Sequence, residues 1–322
     1  MHKIGILGAA GIAPRSIIQP VNRREDVTIH AVASRRAQAA QDYAQTHRIG
    51  KAYESYDALL GDPEIDIVYN ALPPAGHAEW TIKAFEAGKH VLCEKPIGMT
   101  ADDARAMAAA AMKADRVLME AFHDRYHPAF LHLLQIKASG KLGKILSMRA
   151  EFYVDIPFDE KSIRHDPAQG GGAMMDLGCY PLHWLRSFHG GEPRILSAQA
   201  ERTKLGVDQS MQCEMEFDDG VTATLVADIA NPPFLGLLKI VGETGEVELE
   251  NPCLPHQGHS IRERFGDSFV IRTVAGGTTY DYQLSALLDA IDTGADLPTG
   301  PTDAINNMIA LDAIYRLAGF PR

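Results

Sequence analysis

Cysteine is scarce in this chain and scattered. Cys93, Cys179, Cys213 and Cys253 stand far apart with no C-x-x-C pair, which argues against a disulfide framework or a cysteine-based zinc site. They read as small apolar residues, and no metal is expected. Positive charge is also short. Lys and Arg number 31 against 42 Asp and Glu, a formal net charge of −11. A nucleic-acid partner needs clustered cations to neutralise phosphate, so none is expected. Long apolar runs are missing as well. The opening MHKIGILGAAGIAP meets Pro14 and Arg15 too soon to cross a bilayer, and no cleavage-site pattern follows it. The reading is a cytoplasmic protein with no membrane partner. Neither an internal repeat nor a low-complexity linker is present.

What is present is an ordinary globular composition, 46% hydrophobic and 23% charged, over 322 residues. That length exceeds one ordinary core and predicts two domains. In the first third, apolar runs alternate with helical patterns. KIGILG, VTIHAVAS, IDIVYNAL, HVLCEK and VLMEAF read as strands buried on both faces of a parallel sheet. AEWTIKAFEAGK reads as a helix stopped at Gly88, and TADDARAMAAAAMKAD as one capped by Thr100. Strand–helix alternation predicts a doubly wound α/β domain over residues 1–122.

Beyond about residue 145 the period changes to two. In QSMQCEMEF, Met211, Cys213, Met215 and Phe217 oppose Ser210, Gln212, Glu214 and Glu216. SMRAEFYVD, GVTATLVADIA and LLKIVGETGEVELE continue the pattern, and two helical segments close the chain. Residues 123–322 are therefore expected to form an α+β domain, a mostly antiparallel open sheet with helices on one face. Its other face, left open, predicts a homodimer built through that sheet.

GILGAAGIA follows the first strand. Against G-x-G-x-x-G it aligns as Gly8, Ala10 and Ala13, with Gly11 extra. Small residues there let a pyrophosphate approach the backbone at a helix N-terminus. Alanine at the second position departs from the pattern, and a tight strand–helix turn is the plainer alternative. The second strand ends in Ser34, Arg35 and Arg36, with no acid for a ribose 2′-hydroxyl. A hydroxyl and guanidinium groups suit a 2′-phosphate, so NADP is expected over NAD.

HVLCEKPIGMT raises the question of why a core strand should end on Glu94, Lys95 and Pro96. The EKP run and GGGAMMDLGCYPLHWLR (Gly170–Arg186) together resemble the Gfo/Idh/MocA oxidoreductases over nearly the whole chain. MEAFHDRYHP (Met119–Pro128) and Tyr180 are most similar to the D-xylose dehydrogenase and dimeric dihydrodiol dehydrogenase branch. The resemblance implies that Lys95 reaches both cofactor and substrate. It also implies that Gly8, Ala10, Gly11, Ile12, Ala13, Ser34, Arg35, Arg36, Leu72, Pro73, His77 and Glu94 line the cofactor. Lys95, Tyr180 and Asp176 form the expected catalytic group. Beside a cationic Lys95 the Tyr180 phenolate is favoured, so Tyr180 would take the substrate's proton. Asp176 would orient the substrate or Lys95. His183, a turn away from Tyr180, reads as structural, and Pro181 should kink its segment. Gly170 to Gly172 would give room to approach a ligand. Arg125 and His127 would line a substrate pocket or pin the domains. The implied activity is hydride transfer between a nicotinamide and a secondary alcohol of a sugar, polyol or dihydrodiol. The alternative is a non-catalytic dinucleotide-binding sensor or regulatory protein of the same fold.

Overall fold

Short apolar segments of the first unit pair side by side and all run parallel. They are β1 (His2–Leu7), β2 (Val27–Ala33), β3 (Lys51–Tyr53), β4 (Ile67–Asn70), β5 (His90–Cys93) and β6 (Leu118–Glu120). Their order is β3-β2-β1-β4-β5-β6. Ile4, Ile6, Val68, Val91 and Leu92 are wholly buried, as strands covered on both faces must be. Between strands lie α1 (Gln19–Val21, after a π turn over Pro14–Ile18), α2 (Ala37–His47), α3 (Tyr56–Leu60), α4 (His77–Glu86) and α5 (Ala101–Ala114). The sequence signals hold locally. Thr100 accepts from the Asp103 N–H at 3.3 Å while the Asp103 carboxylate accepts from the Thr100 N–H at 3.1 Å, a reciprocal cap. Gly88, at φ 75°, follows α4.

The computed structural model describes residues 1–230 and 233–321. It divides into two compact units: Met1–Phe122 with Gln283–Ile305, and His123–Tyr282 with Asn306–Arg322. The second unit holds α6 (Pro128–Ala138), β7 (Ile145–Tyr153), α7 (Cys179–His189), β8 (Arg194–Arg202), β9 (Asp208–Glu216), β10 (Thr222–Asp228), β11 (Leu235–Gly242), β12 (Gly245–Glu250), β13 (Ser260–Phe265) and β14 (Ser268–Arg272). Its strand order is β14-β13-β12-β11-β7-β10-β9-β8. Neighbours are antiparallel except β7 with β10, which are parallel. This is the fold class expected from the sequence.

One face of this sheet is apolar: Met211, Cys213 and Met215 of β9, Ala223 and Leu225 of β10, Leu238 and Ile240 of β11 are all buried. Helix α7 packs on β7, β10 and β11. On the other face a register row runs Gln212, Val226, Glu151, Leu237, Glu250. Ion pairs cross it, Lys239–Glu246 at 3.1 Å and Arg262–Glu248 at 2.6 Å.

The chain closes with α8 (Thr279–Thr293) and α9 (Pro301–Leu317). Both were expected over the second sheet, but from Gln283 onward α8 belongs to the first unit. Polar contacts account for this. Asp292 meets His2 at 2.8 Å, Ser285 accepts from Arg24 at 2.8 Å, and the Thr299 carbonyl accepts from the Glu120 N–H at 2.9 Å. No helix among the described residues is long and apolar enough to cross a membrane.

Candidate active site

From β1 the strand order runs to β2 and β3 on one side and to β4, β5 and β6 on the other, so the loops leaving β1 and β4 flank the crevice where such sheets bind ligands. Gly8 has φ 94°, and a Cβ there would sit 3.1 Å from the Leu72 side chain. The structure thus brings Gly8 of the first loop against Leu72 of the second. Nothing lies within 4 Å of where a Cβ on Gly11 would stand. The β1–α1 junction, with Ala10, Ile12 and Ala13 in its bend, is a small-residue cradle that fits a pyrophosphate. Tyr43 of α2 braces it from below, donating to the Ala10 carbonyl at 2.9 Å. Ser34 is buried at the end of β2. Arg35 and Arg36 are exposed, and neither side chain has an ion pair or hydrogen bond among the described residues.

The Glu94–Lys95–Pro96 turn leaves the carboxyl end of β5, with a cis peptide between Lys95 and Pro96. Three side chains hold it. The Glu94 carboxylate accepts from the Tyr69 hydroxyl, which lies 2.7 Å from the Ser16 hydroxyl at the π turn. Burial raises the Glu94 pKa, opposed by the Tyr69 hydroxyl and the Lys95 charge. Glu120, wholly buried at the end of β6, accepts from the Ile97 N–H at 2.8 Å. His77 is also wholly buried, its ring nitrogens 2.9 Å from the Pro96 carbonyl and 2.7 Å from that of Leu72. In the structure His77 therefore ties the Leu72–Pro73 loop to the Lys95 turn. Desolvation lowers its pKa.

In the second unit the Gly170–Arg186 motif opens with a π turn, Met174–Gly178, which runs into α7 with Pro181 in its first turn. The irregularity falls where Pro181 withholds its N–H from the helix ladder. Tyr180 is 6% exposed, and its hydroxyl lies 3.2 Å from Nε2 of His123. Asp176 is half-buried and accepts from Arg164 Nε at 2.7 Å. Gly171 and Gly172 face protein rather than open room. A Cβ on Gly171 would meet the Arg164 carbonyl at 2.7 Å, and one on Gly172 would meet Asp208 Oδ1 at 2.1 Å. The freedom expected there for a ligand is used instead to dock the Arg164 segment and to let buried Asp208 cap the turn at Met174 N, 2.6 Å away. Asp124, wholly buried, accepts from Trp184 Nε1 at 2.6 Å. Burial pushes its pKa up to about 6, opposed by the charge of His183 and the Trp184 hydrogen bond. Arg125 stacks over Phe130 at 5.4 Å. His127 caps α6 through the Ala129 N–H at 3.1 Å, and burial lowers its pKa to about 4.

Residues 2–122 match the oxidoreductase family with an NAD-binding Rossmann fold, and residues 130–248 match the Gfo/Idh/MocA C-terminal domain. The chain belongs to the Gfo/Idh/MocA oxidoreductase family. As a member it is an oxidoreductase with an NAD(P)-binding domain. It is 33% identical over 317 residues to a D-xylose 1-dehydrogenase (NADP(+)) of Haloferax volcanii, covering 98% of this chain and 96% of that protein. It is 33% identical over 243 residues to human trans-1,2-dihydrobenzene-1,2-diol dehydrogenase, covering 74% of this chain and 70% of that one. Among solved structures, the aldose-aldose oxidoreductase of Caulobacter crescentus complexed with glycerol superposes at TM-score 0.91 with 28% identity, covering 98% and 97% of the two chains. The 3-ketoreductase KijD10 of Actinomadura kijaniata, in complex with NADP, superposes at 0.90 with 25% identity, over 98% and 97%.

Within this family member, sequence reasoning passed over Ser16, Tyr43, Tyr69, Glu120, His123 and Arg164. Glu120 did carry a signal: a carboxylate ending an apolar strand must find a partner. Arg164, in an irregular loop, carried none. The one His/Asp/Glu grouping of metal-ligand spacing among the described residues is His30, Asp62 and Glu64. Lys51 fills it, its Nζ 3.0 Å from Asp62 and 2.7 Å from Glu64.

Proposed function

We propose that the protein is an NADP-dependent oxidoreductase acting on a secondary alcohol of a sugar, polyol or dihydrodiol. The observation that carries this reading is Lys95, on a turn pinned through Glu94, Pro96 and Ile97 at the carboxyl end of β5, beside the crevice between β1 and β4. The bound nicotinamide supplies the hydride chemistry. Gly8, Ala10, Gly11, Ile12 and Ala13 take the pyrophosphate, with Leu72 and Pro73 beside them. Ser34, Arg35 and Arg36 take the 2′-phosphate. Lys95 donates to the reacting hydroxyl and holds it. Tyr180 receives the hydroxyl proton at its phenolic oxygen. Asp176, fixed by Arg164, orients the substrate, and Arg125 lines its pocket.

The guanidinium groups at the end of β2, unpaired among the described residues, support NADP, as does the NADP(+) specificity in the name of the Haloferax relative. Arg35→Ala should weaken NADP+ binding by roughly 1–3 kcal/mol, a charge-assisted contact, and leave NAD+ binding nearly unchanged. Titration calorimetry with both cofactors checks this, and an equal loss for both refutes the phosphate assignment. Turnover is screened by nicotinamide absorbance with D-xylose, other aldoses and a trans-dihydrodiol.

The open face of the second sheet pairs two copies about a two-fold axis. Phe269 and Ile271 of β14, 51% and 58% exposed, stand on that face in register with Arg264 and Arg262. Light scattering at micromolar concentration should give a dimer; a mass near 35.1 kDa refutes it.

A further inference from the structure

Tyr180 does not face its neighbours as an isolated phenol. Its ring is nested edge-on against Phe152 at 5.8 Å and tilted against Trp184 at 6.2 Å, while its hydroxyl meets Nε2 of His123 at 3.2 Å. His123 is 4% exposed and lies on the short turn His123–Tyr126, just after β6. Its ring is stacked at a tilt against Tyr280, 4.2 Å between centroids. The pair is therefore largely buried, braced on both rings and joined by a hydrogen bond.

We propose that His123 is the positioning residue for Tyr180: its Nε2 holds the phenolic hydroxyl and takes up that proton as Tyr180 accepts the proton of the substrate hydroxyl. This rests on the role proposed above for Tyr180. In the oxidising direction the substrate O–H bond breaks as a new O–H bond forms on Tyr180. The former Tyr180 O–H bond breaks as an N–H bond forms at Nε2. The hydride of the substrate carbon would pass to the oxidised nicotinamide that the first unit would hold, which balances the two electrons. His123 ends as an imidazolium and returns its proton to water before the next turnover. The chemistry explains why a phenol needs such a partner. A lone tyrosine of pKa about 10 is protonated at neutral pH and cannot accept a proton, whereas a histidine of pKa about 6.5 can.

The groups that bear on this titration come from several elements. Asp124 adjoins His123 on its own turn and is held by Trp184 of α7. His183 of α7 acts on Asp124 by charge. Tyr280 faces the ring from the start of α8, and His256 lies 6.2 Å beyond Tyr280. These are the titratable and charged groups that surround the His123 ring.

The test compares wild type, His123→Phe, His123→Gln and Tyr180→Phe in two measurements. In D-xylose oxidation with NADP+, the acid limb of kcat should move up by one pH unit or more in both His123 variants. The rate at pH 7 should fall about 100-fold and recover in alkali. Gln keeps a hydrogen-bond acceptor but cannot titrate, so a merely structural role would let it restore the wild-type profile. Nitrogen NMR of the histidine rings reads the same pair without turnover. It should show Nε2 of His123 unprotonated at neutral pH and its titration shifted in Tyr180→Phe. A limb that stays in place, a proton on Nε2, or a titration indifferent to Tyr180→Phe overturns the proposal while leaving Tyr180 intact. Turnover that survives Tyr180→Phe removes the underlying role of Tyr180, and this inference with it.

Discussion

Asp124→Asn should make the protein more stable at neutral pH. Asp124 is wholly buried, with Trp184 Nε1 donating to Oδ2 at 2.6 Å. Burial lifts its pKa from an ordinary 3.8 to about 6. The folded protein thus holds this proton more tightly than the unfolded chain does. The stability this contributes is fully present below the unfolded pKa and is lost as pH rises through the folded one. At 1.36 kcal/mol per pKa unit, the interval corresponds to ~3 kcal/mol lost between about pH 4 and pH 7. Asparagine has the same shape, accepts the indole hydrogen through its carbonyl oxygen and never ionises. The variant should therefore gain up to ~3 kcal/mol over wild type at pH 7.5 and almost nothing at pH 4. Urea midpoints at the two pH values measure this. An Asn variant no more stable at pH 7.5, or a gap that persists at pH 4, would show that the carboxylate is not held against its ionisation.

Gly172→Ala should cost ~3 kcal/mol or more, since φ is 118° and the new Cβ would meet Asp208 Oδ1 at 2.1 Å. Denaturant midpoints check it, and a loss under about 1 kcal/mol would mean that Asp208 gives way easily. All four cysteines are buried, and burial pushes the Cys213 thiol up to about 12 and Cys93 well above its ordinary value. A thiol reagent should therefore label none of them until the protein unfolds. Fast labelling of the native protein contradicts the burial.

The strands that were legible in the sequence are those with a one-sided or two-sided apolar record. β1, β2, β4 and β5 are near-continuous apolar runs, and β9 alternates strictly. β3 escaped notice because it has three residues and no buried side chain, pattern intermediate–exposed–intermediate. β8 and β14 escaped because sheet-edge strands bury little. All five residues of β14 are exposed, so its apolar letters carry no period. Helix caps such as Thr100 were legible because they are local chemistry. Ser16, Tyr69 and Glu94 were not legible as a set, because they are joined only by folding three separate segments together. The same holds for Arg164 and Asp176. Glycine runs were half legible. Gly8 was expected only as a small residue and adopts a positive φ at the strand–loop junction, whereas Gly171 and Gly172 serve the protein's own backbone and a buried carboxylate.

The return of Gln283–Ile305 to the first unit has a consequence for how the chain is made. His2 meets Asp292 across 290 residues, and the Glu120 N–H waits for the carbonyl of Thr299. The ribosome releases the Rossmann strands first, yet those strands gain these partners only after nearly the entire chain has emerged. A nascent chain stalled before residue 283 leaves the ends of β1 and β6 without them. Synthesis order and completion order are thus inverted, and the unit that begins earliest is among the last to close.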